Sequence, residues 1–182
     1  MWVNMNMELQ KKICLLGDFA VGKTSLIRRF VEGIFDEKYL STLGAKVDRK
    51  VLKFEADEQS IQLKLLIWDI AGGEKFNMMM RSYYNGSSGA ILVCDLTRLE
   101  TILSLKNYVS DFHGINQAVP LVIMGNKVDL VEPQSDIVTR LAEVAAQYQV
   151  PYFVSSAKTG QNVEISFHTL GKSIVQRSSK NG

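Results

Sequence analysis

The sequence predicts an α/β fold: a mostly parallel six-stranded sheet with one antiparallel edge strand and helices on both faces. Three observations carry this prediction. Short apolar runs alternate along the chain with longer amphipathic stretches. Most of these runs are continuous, which indicates strands buried on both faces, as in a parallel sheet covered by helices. One pair of runs is separated only by a short turn, which indicates an antiparallel hairpin at a sheet edge.

The elements follow from these runs in chain order. Strands are predicted at 12–16, 47–54, 61–67, 90–94, 121–124 and 152–154, and helices at 24–31, 99–112, 137–148 and 163–175. The second and third strands flank the turn-forming pair Asp57-Glu58 and make up the predicted hairpin. Most of the other strands precede an amphipathic stretch, which returns the chain for parallel pairing.

The composition is that of one ordinary globular domain. The chain has 182 residues, of which 46% are hydrophobic and 22% charged, and this excludes a disordered protein. A net charge of +2 excludes a polybasic nucleic-acid binder, so we expect no nucleic-acid partner. Two cysteines, Cys14 and Cys94, are too few for a disulfide scaffold and fit a reducing cytosol. We therefore expect a cytoplasmic protein, and a monomer.

The two ends are predicted to lie outside the domain. Residues 1–10 are expected to form a leader, 11–177 the domain and 178–182 a flexible tail. The first residues lack the pattern of a signal peptide, and no apolar run approaches the roughly 20 residues of a membrane span. Residue 2 is Trp and the last residues contain no Cys, so we expect no encoded lipid anchor. Membrane association would then need partners or a missing segment.

A phosphate-binding loop directly follows the first strand. Residues 17–24, GDFAVGKT, place four residues between two glycines and then add Lys and Thr. Glycines let backbone N–H groups turn toward phosphates, and the start of the next helix adds positive potential. Lys23 would reach the outer phosphates and the Thr24 hydroxyl would ligate magnesium. The strand–loop–helix context favours this interpretation over an ordinary helix-capping loop.

A second motif indicates which base is bound. Residues 126–129, NKVD, follow the predicted strand 121–124, at the sheet edge where α/β proteins bind ligands. The Asp129 carboxylate can accept two hydrogen bonds from guanine, from its ring N–H and its exocyclic amine, a pair that adenine lacks. Alone the tetrapeptide would equally suit a solvated turn. Together with the phosphate loop it predicts a guanine nucleotide and disfavours an ATP-dependent enzyme.

Five ordered motifs resemble those of the Ras superfamily of small GTPases, most closely its Rab-like members, over residues 11–175. Besides the two above, 41–44 (STLG) resembles the first switch, 68–72 (WDIAG) the second switch, and 155–158 (SSAK) the last base-binding loop. The resemblance implies a P-loop NTPase G domain that binds GTP or GDP with magnesium.

The resemblance also implies partners and roles around the phosphates. Effector, exchange or activating proteins are expected at switch regions 36–47 and 70–84. Thr42 would join Thr24 on magnesium, and Asp69 would hold the ion through water. The Gly72 amide would touch the γ-phosphate. The predicted catalytic positions are Lys23, Thr42, Gly72 and Gly73, and the predicted metal-binding residues are Thr24, Thr42 and Asp69.

Around the base the resemblance implies four further roles. Asn126 would brace the site, Lys127 would pack along the guanine plane, the Ala157 amide would meet the base carbonyl, and Phe35 would flank the ring. The complete predicted nucleotide site comprises Gly17, Asp18, Phe19, Ala20, Val21, Gly22, Lys23, Thr24, Ser25, Phe35, Tyr39, Thr42, Gly72, Asn126, Lys127, Asp129, Ser156, Ala157 and Lys158.

The sequence departs from the family where the attacking water is positioned. The residue after the second-switch glycine is usually Gln, which orients this water, but here it is Gly73. We therefore predict slow intrinsic hydrolysis. Glu74, Lys75 or Asn77 could substitute, and the spacing selects none of them. In the alternative interpretation Gly73 relaxes the loop while a residue of a partner performs the chemistry.

Two more features leave two interpretations each. Phe19, where much of the family has a small residue, would either obstruct an arginine finger or pack against the switches without functional effect. Residues 78–80, Met-Met-Met, would either dock a partner or face the core. Arg28 and Arg29 are expected on solvated faces.

The predicted function is a guanine-nucleotide-dependent switch that hydrolyses GTP slowly. The rival is a non-hydrolysing scaffold or interaction module held in one nucleotide state. Single-turnover hydrolysis would separate the two.

Overall fold

A computed structural model describes residues 6–37, 41–56, 59–72 and 77–180. The strands are β1 (Asn6–Leu16), β2 (Ala45–Ala56), β3 (Gln59–Ile70), β4 (Gly89–Asp95), β5 (Leu121–Asn126) and β6 (Tyr152–Val154). The helices are α1 (Lys23–Glu32), α2 (Asn77–Tyr84), α3 (Leu99–Leu103), α4 (Leu105–Ile115), α5 (Ile137–Tyr148) and α6 (Val163–Lys180).

The strands form one six-stranded sheet in the order β2-β3-β1-β4-β5-β6. β2 and β3 pair antiparallel, and the other neighbouring pairs are parallel. Every residue of β4 and β5 is buried, because helices cover both faces of these central strands. The predicted fold class is confirmed.

Two apolar cores lie on opposite faces of the sheet. One joins the sheet to α1 and α6, where the rings of Phe30 and Phe167 stack with centroids 3.9 Å apart. The other joins it to α3, α4 and α5 through residues such as Ile102, Phe112 and Leu141. The strands are thus held rigidly, and the loops at their carboxyl ends gather at one edge.

Several elements differ in extent from the prediction. β1 begins at Asn6, inside the expected leader, because it continues to pair with β3 there. α6 continues to Lys180, into the expected tail. The single helix predicted at 99–112 is divided at Ser104, whose one hydroxyl hydrogen is shared between the Asp18 carboxylate at 2.7 Å and the Thr101 carbonyl at 3.0 Å.

The hairpin of β2 and β3 is longer than predicted, and its turn at Asp57-Glu58 lies outside the described residues. The division into leader, domain and tail stays a prediction. Among the described residues, none of the helices combines the length and the apolar character needed to cross a bilayer.

Candidate functional site

The loop between β1 and α1 depends on two glycines. Gly17 has φ +146°, and a Cβ there would lie 2.1 Å from the Val93 carbonyl oxygen of β4. Gly22 has φ +100°, and a Cβ there would lie 2.2 Å from Nδ2 of Asn126. Gly22 is also the N-cap of α1 and makes no side-chain capping bond. The N–H groups at the start of α1 therefore keep the capacity to bind an anion.

Lys23 places a buried cation at the start of α1. Only 7% of its surface is exposed, and its ammonium group donates to the carbonyls of Gly17 at 2.7 Å and Asp18 at 2.8 Å. Burial lowers the pKa of Lys23 to about 8, although the Asp69 and Asp18 carboxylates oppose this effect. The ammonium group is buried and its two hydrogen bonds are to neutral carbonyls, so its positive charge is available to bind a phosphate.

Three side-chain oxygens converge beside Lys23. Thr24 donates to Asp69 at 2.5 Å, Thr42 donates to the same carboxylate oxygen at 3.2 Å, and the two hydroxyl oxygens are 2.9 Å apart. Asp69 is 1% exposed, and its Oδ1 has no hydrogen-bond partner in the described part of the chain. Magnesium prefers oxygen ligands and usually binds through few side chains plus phosphates. The donor set therefore fits this ion.

A metal held by side chains alone would need more ligands than this cluster offers. Within the described ranges no group of three or more His, Cys, Asp or Glu side chains is placed to hold a metal. An ion bound by Thr24, Thr42 and Asp69 would therefore take its remaining oxygens from phosphates and water.

The two switch loops close against the phosphate-binding loop. The Ala71 N–H donates to the Gly44 carbonyl at 2.9 Å and joins the loop after β3 to the loop before β2. A Cβ on Gly72 would lie 2.5 Å from both the Gly17 carbonyl oxygen and the Asp18 carbonyl carbon. Glycine at position 72 is what permits this approach of one backbone to the other.

A cavity of about 260 Å³ adjoins this region. Nine of its lining residues were predicted as site residues: Ala20, Gly22, Ser25, Phe35, Asn126, Lys127, Asp129, Ala157 and Lys158. Asp36, Glu37 and Leu130 also line it and were not predicted as nucleotide-binding residues. Residues predicted to bind the phosphates and residues predicted to recognise the base thus share one cavity, although they lie more than 100 positions apart in the sequence.

Asn126 connects three loops behind this cavity. It is 2% exposed, its Nδ2 donates to the Val21 carbonyl at 2.9 Å, and its Oδ1 accepts from the Ala157 N–H at 3.1 Å. Asn126 thus connects the loops at 21, 126 and 157, and its predicted bracing role stays a prediction. The Ala157 N–H donates to Asn126 in this structure, and its predicted contact with the base carbonyl stays a prediction as well.

Lys127 lines the cavity, and two partners hold its ammonium group in place. It donates to the Ala20 carbonyl at 2.9 Å and pairs with Asp95 at 2.7 Å. Burial alone would raise the pKa of Asp95, but hydrogen bonds from Lys127 and Thr97 lower it below its usual value. The lysine stem is therefore held in place where a planar ring can pack.

Asp129 presents an exposed carboxylate at the cavity, and Ser156 orients it. The Ser156 hydroxyl donates to Oδ1 of Asp129 at 2.5 Å and accepts from the Thr159 N–H at 3.0 Å. The carboxylate retains lone pairs for two further hydrogen bonds. It can select a ligand edge that carries two neighbouring donors.

The structure places Arg29 differently from the sequence prediction. It was expected on a solvated face, but its guanidinium donates to the carbonyls of Ala157 at 2.8 Å and Lys158 at 2.5 Å. Arg29 thereby anchors the last loop of the cavity to α1. Nothing in the sequence distinguishes it from Arg28, which pairs with Glu32 and Asp36.

The outer side of the phosphate-binding loop has partners that sequence reasoning missed. Asp18 accepts hydrogen bonds from Ser104 at 2.7 Å and Tyr108 at 2.8 Å. Arg98 donates to the Phe19 carbonyl at 2.9 Å. Burial, followed by the Asp18 carboxylate, raises the pKa of Tyr108. No local pattern could have revealed these contacts, which span 79 to 90 positions.

Some of the predicted site residues lie outside the part of the chain that the structure describes. Phe19 is 53% exposed and lines the phosphate side of the site with Thr42 and Gly72. Tyr39 and Gly73 lie outside the described residues, and so do the side chains of the three methionines in α2.

Comparison with known proteins agrees with this geometry. The model of the Ras family matches residues 12–176. The GTP-binding protein ypt1 of Schizosaccharomyces pombe is 34% identical over 175 residues, covering 93% of this chain and 82% of the yeast protein. The Ras-related protein RABD1 of Arabidopsis thaliana is 36% identical over 91% of this chain and 80% of its own length. The Ras-related protein Rab-7b of Bos taurus is 35% identical over 96% of this chain and 87% of its own length. The chain therefore belongs to the Ras superfamily of small GTPases and is Rab-like.

Proposed function

We propose that the protein is a molecular switch that binds GTP or GDP with magnesium and hydrolyses GTP slowly. The observation that carries the proposal is the shared cavity, in which the phosphate-binding loop meets Asn126, Lys127 and Asp129. This cavity and the neighbouring Lys23 together offer what the two ends of a guanine nucleotide require: N–H groups and a buried cation for phosphates, and a carboxylate for the base.

Base selection rests on Asp129 in this proposal. Its carboxylate would accept two hydrogen bonds from guanine, and the Ser156 hydroxyl, which donates to Oδ1, would orient it. Lys127 and Phe35 line the same cavity and would pack against the ring. Because Asn126 already engages the Ala157 N–H, we assign discrimination against adenine to Asp129.

In this proposal the phosphates would lie against Lys23 and the start of α1, and Thr24, Thr42 and Asp69 would hold the magnesium ion. Such an ion supplies positive charge that stabilises the transferred phosphoryl group. Thr42 and Gly72 lie on loops, so contacts that they make to the γ-phosphate are lost when it leaves. The regions 36–47 and 70–84, which contain these loops, would thus report the nucleotide state to effectors and regulators, and we propose a cytoplasmic monomer.

The magnesium assignment predicts the effect of Thr24→Asn. We expect GTP affinity to fall by about tenfold more than GDP affinity, because a magnesium ion held by Thr24 would lose a hydroxyl ligand. Titration with fluorescent nucleotides, with and without magnesium, measures this difference. Thr24→Ser keeps the hydroxyl and should retain both affinities. Equal loss of GTP and GDP in Thr24→Asn would contradict the assignment.

The missing glutamine predicts a gain of activity. Gly73→Gln should raise single-turnover phosphate release by about tenfold, because a side chain then orients the attacking water. Phe19 can fill the space beside the γ-phosphate, in which case only Phe19→Gly combined with Gly73→Gln shows the gain. Equal rates in the wild type, both single variants and the double variant would show that another residue or a partner positions the water.

One experiment tests the proposed function as a whole. The nucleotide released from the purified protein is identified by chromatography, and bound GTP is then followed through a single turnover. We expect guanine nucleotide and slow phosphate release. Adenine nucleotide would contradict the base assignment. The absence of Gln at position 73 favours one rival, a non-hydrolysing scaffold, and guanine nucleotide that is never hydrolysed would establish that rival.

A further inference from the structure

The first strand extends beyond one of its two neighbours. β1 pairs with β3 from Asn6 onward but with β4 only from Ile13 onward. The last bond on the β4 side joins the Ser88 N–H to the Lys12 carbonyl at 2.8 Å. Among the described residues no strand pairs with residues 6–11 on the β4 side, so these residues form an open edge within the sheet, about 20 Å long at the usual rise of a strand.

The backbone groups on this open edge belong to Glu8 and Gln10. Successive residues of a strand direct their N–H and C=O groups to opposite neighbours, and Lys12 directs its carbonyl to the β4 side. Gln10 and Glu8, two and four residues earlier, face the same side where β4 has not yet begun. The N–H and C=O groups of the odd-numbered residues form the hydrogen bonds to β3. A row of such groups is a template for another strand.

A cavity of about 420 Å³ lies beside this edge. β1 lines it with Met7, Leu9 and Lys11, whose side chains share one face because they alternate along the strand. α6 lines it with Ile174 and Arg177. The cavity thus offers apolar surface together with two cationic groups.

The charge of this cavity is positive and unbalanced. Lys11 and Arg177 are the charged residues that line it, and neither forms a salt bridge with any other described residue. Glu8 lies on the opposite face of β1, where it lines a separate cavity with Gln62 and Lys64. An occupant with a carboxylate would therefore complement the cavity.

We propose that this open edge binds an extended segment of a partner protein, which pairs as an added strand beside residues 6–11. The segment presents alternate apolar side chains to Met7 and Leu9, and a carboxylate to Lys11 and Arg177. Main-chain hydrogen bonds provide affinity, and the alternating side chains provide specificity. The edge lies at the end of β1 opposite the phosphate-binding loop, so the proposal does not rest on the proposed function.

The test uses the full chain as purified, labelled with ¹⁵N, and two synthetic peptides. One is Thr-Val-Thr-Val-Thr-Glu-Thr and the other has the reverse order, because an added strand can run in either direction. We expect one of them to shift the amide signals of Glu8 and Gln10. At ten times its Kd, that peptide should slow exchange of the Gln10 amide about tenfold. Replacing Glu by Lys in the peptide should weaken binding by about fivefold or more.

Variants separate edge pairing from a general effect on the fold. Gln10→Pro removes an N–H of the open edge without touching the ladder to β3, so the fold should persist while peptide binding is lost. Lys11→Glu and Arg177→Glu should each weaken binding by about fivefold. Lys172→Glu reverses an exposed charge of α6 away from the cavity and should leave binding unchanged.

Three results would overturn the proposal. In the first, neither peptide shifts the amide signals of Glu8 and Gln10. In the second, the Lys-containing peptide binds as tightly as the peptide with Glu. In the third, sedimentation shows a concentration-dependent dimer that Gln10→Pro abolishes, which would identify a second copy of this chain as the occupant.

Discussion

Asp129→Asn is expected to lower GTP affinity by about a thousandfold and to raise affinity for xanthosine triphosphate. The carboxylate that we propose accepts two hydrogen bonds from guanine becomes an amide, which donates where the base also donates. Two lost charge-assisted bonds and one unpaired donor account for a factor of this size. Xanthine carries a carbonyl in place of the exocyclic amine, so it accepts from the new amide.

Competition of both triphosphates against a fluorescent guanine nucleotide measures this change. Asp136→Asn is a matched control, because Asp136 is exposed at the start of α5 and pairs only with Arg140 among the described residues. It should bind GTP as the wild type does. GTP affinity that survives in Asp129→Asn would remove the assignment of the base to this carboxylate.

Gly17→Ala is expected to lower the free energy of unfolding by about 3 kcal/mol, which for a domain of this size shifts the Tm by about 10 °C. The backbone at Gly17 has φ +146°, and the new Cβ would meet the Val93 carbonyl oxygen at 2.1 Å. This oxygen belongs to the backbone of a buried central strand, so it cannot move aside as a flexible side chain would. The loop must distort.

Thermal unfolding without added nucleotide measures this effect. Gly114→Ala is the matched control, because Gly114 lies in α4 and a Cβ there would meet open space. This variant should raise the free energy of unfolding by about 0.5 kcal/mol. An unchanged Tm in Gly17→Ala would show that the loop has another low-energy conformation.

The sequence predicted those features that depend on local backbone chemistry. Continuous apolar runs located β4 and β5, and glycines at a fixed spacing located the phosphate-binding loop. The Ser-Ser-Ala-Lys motif likewise located the loop at 155–158. Each of these features needs particular residue types at neighbouring positions, so each leaves a pattern in the sequence.

The missed features depend on tertiary position alone. Arg29 and Arg28 are identical in local context, and only the arrival of the loop at 157–158 beside α1 gives Arg29 its role. The hydrogen bonds of Ser104 and Tyr108 to Asp18 cross from one helix to a distant loop. No periodicity encodes such distances. The roles of Tyr39 and Gly73 stay predictions.

The hydrogen bonds of Asn126 and Lys127 make the two halves of the cavity a single mechanical unit. Both side chains donate to carbonyls of the phosphate-binding loop, at Val21 and Ala20. A displacement of that loop therefore displaces the groups proposed to face the base, and the reverse also holds. On the proposed function, we expect the binding free energies of base and phosphates to be thermodynamically coupled rather than additive. Guanosine and pyrophosphate, offered as separate molecules, would each bind more tightly in the presence of the other.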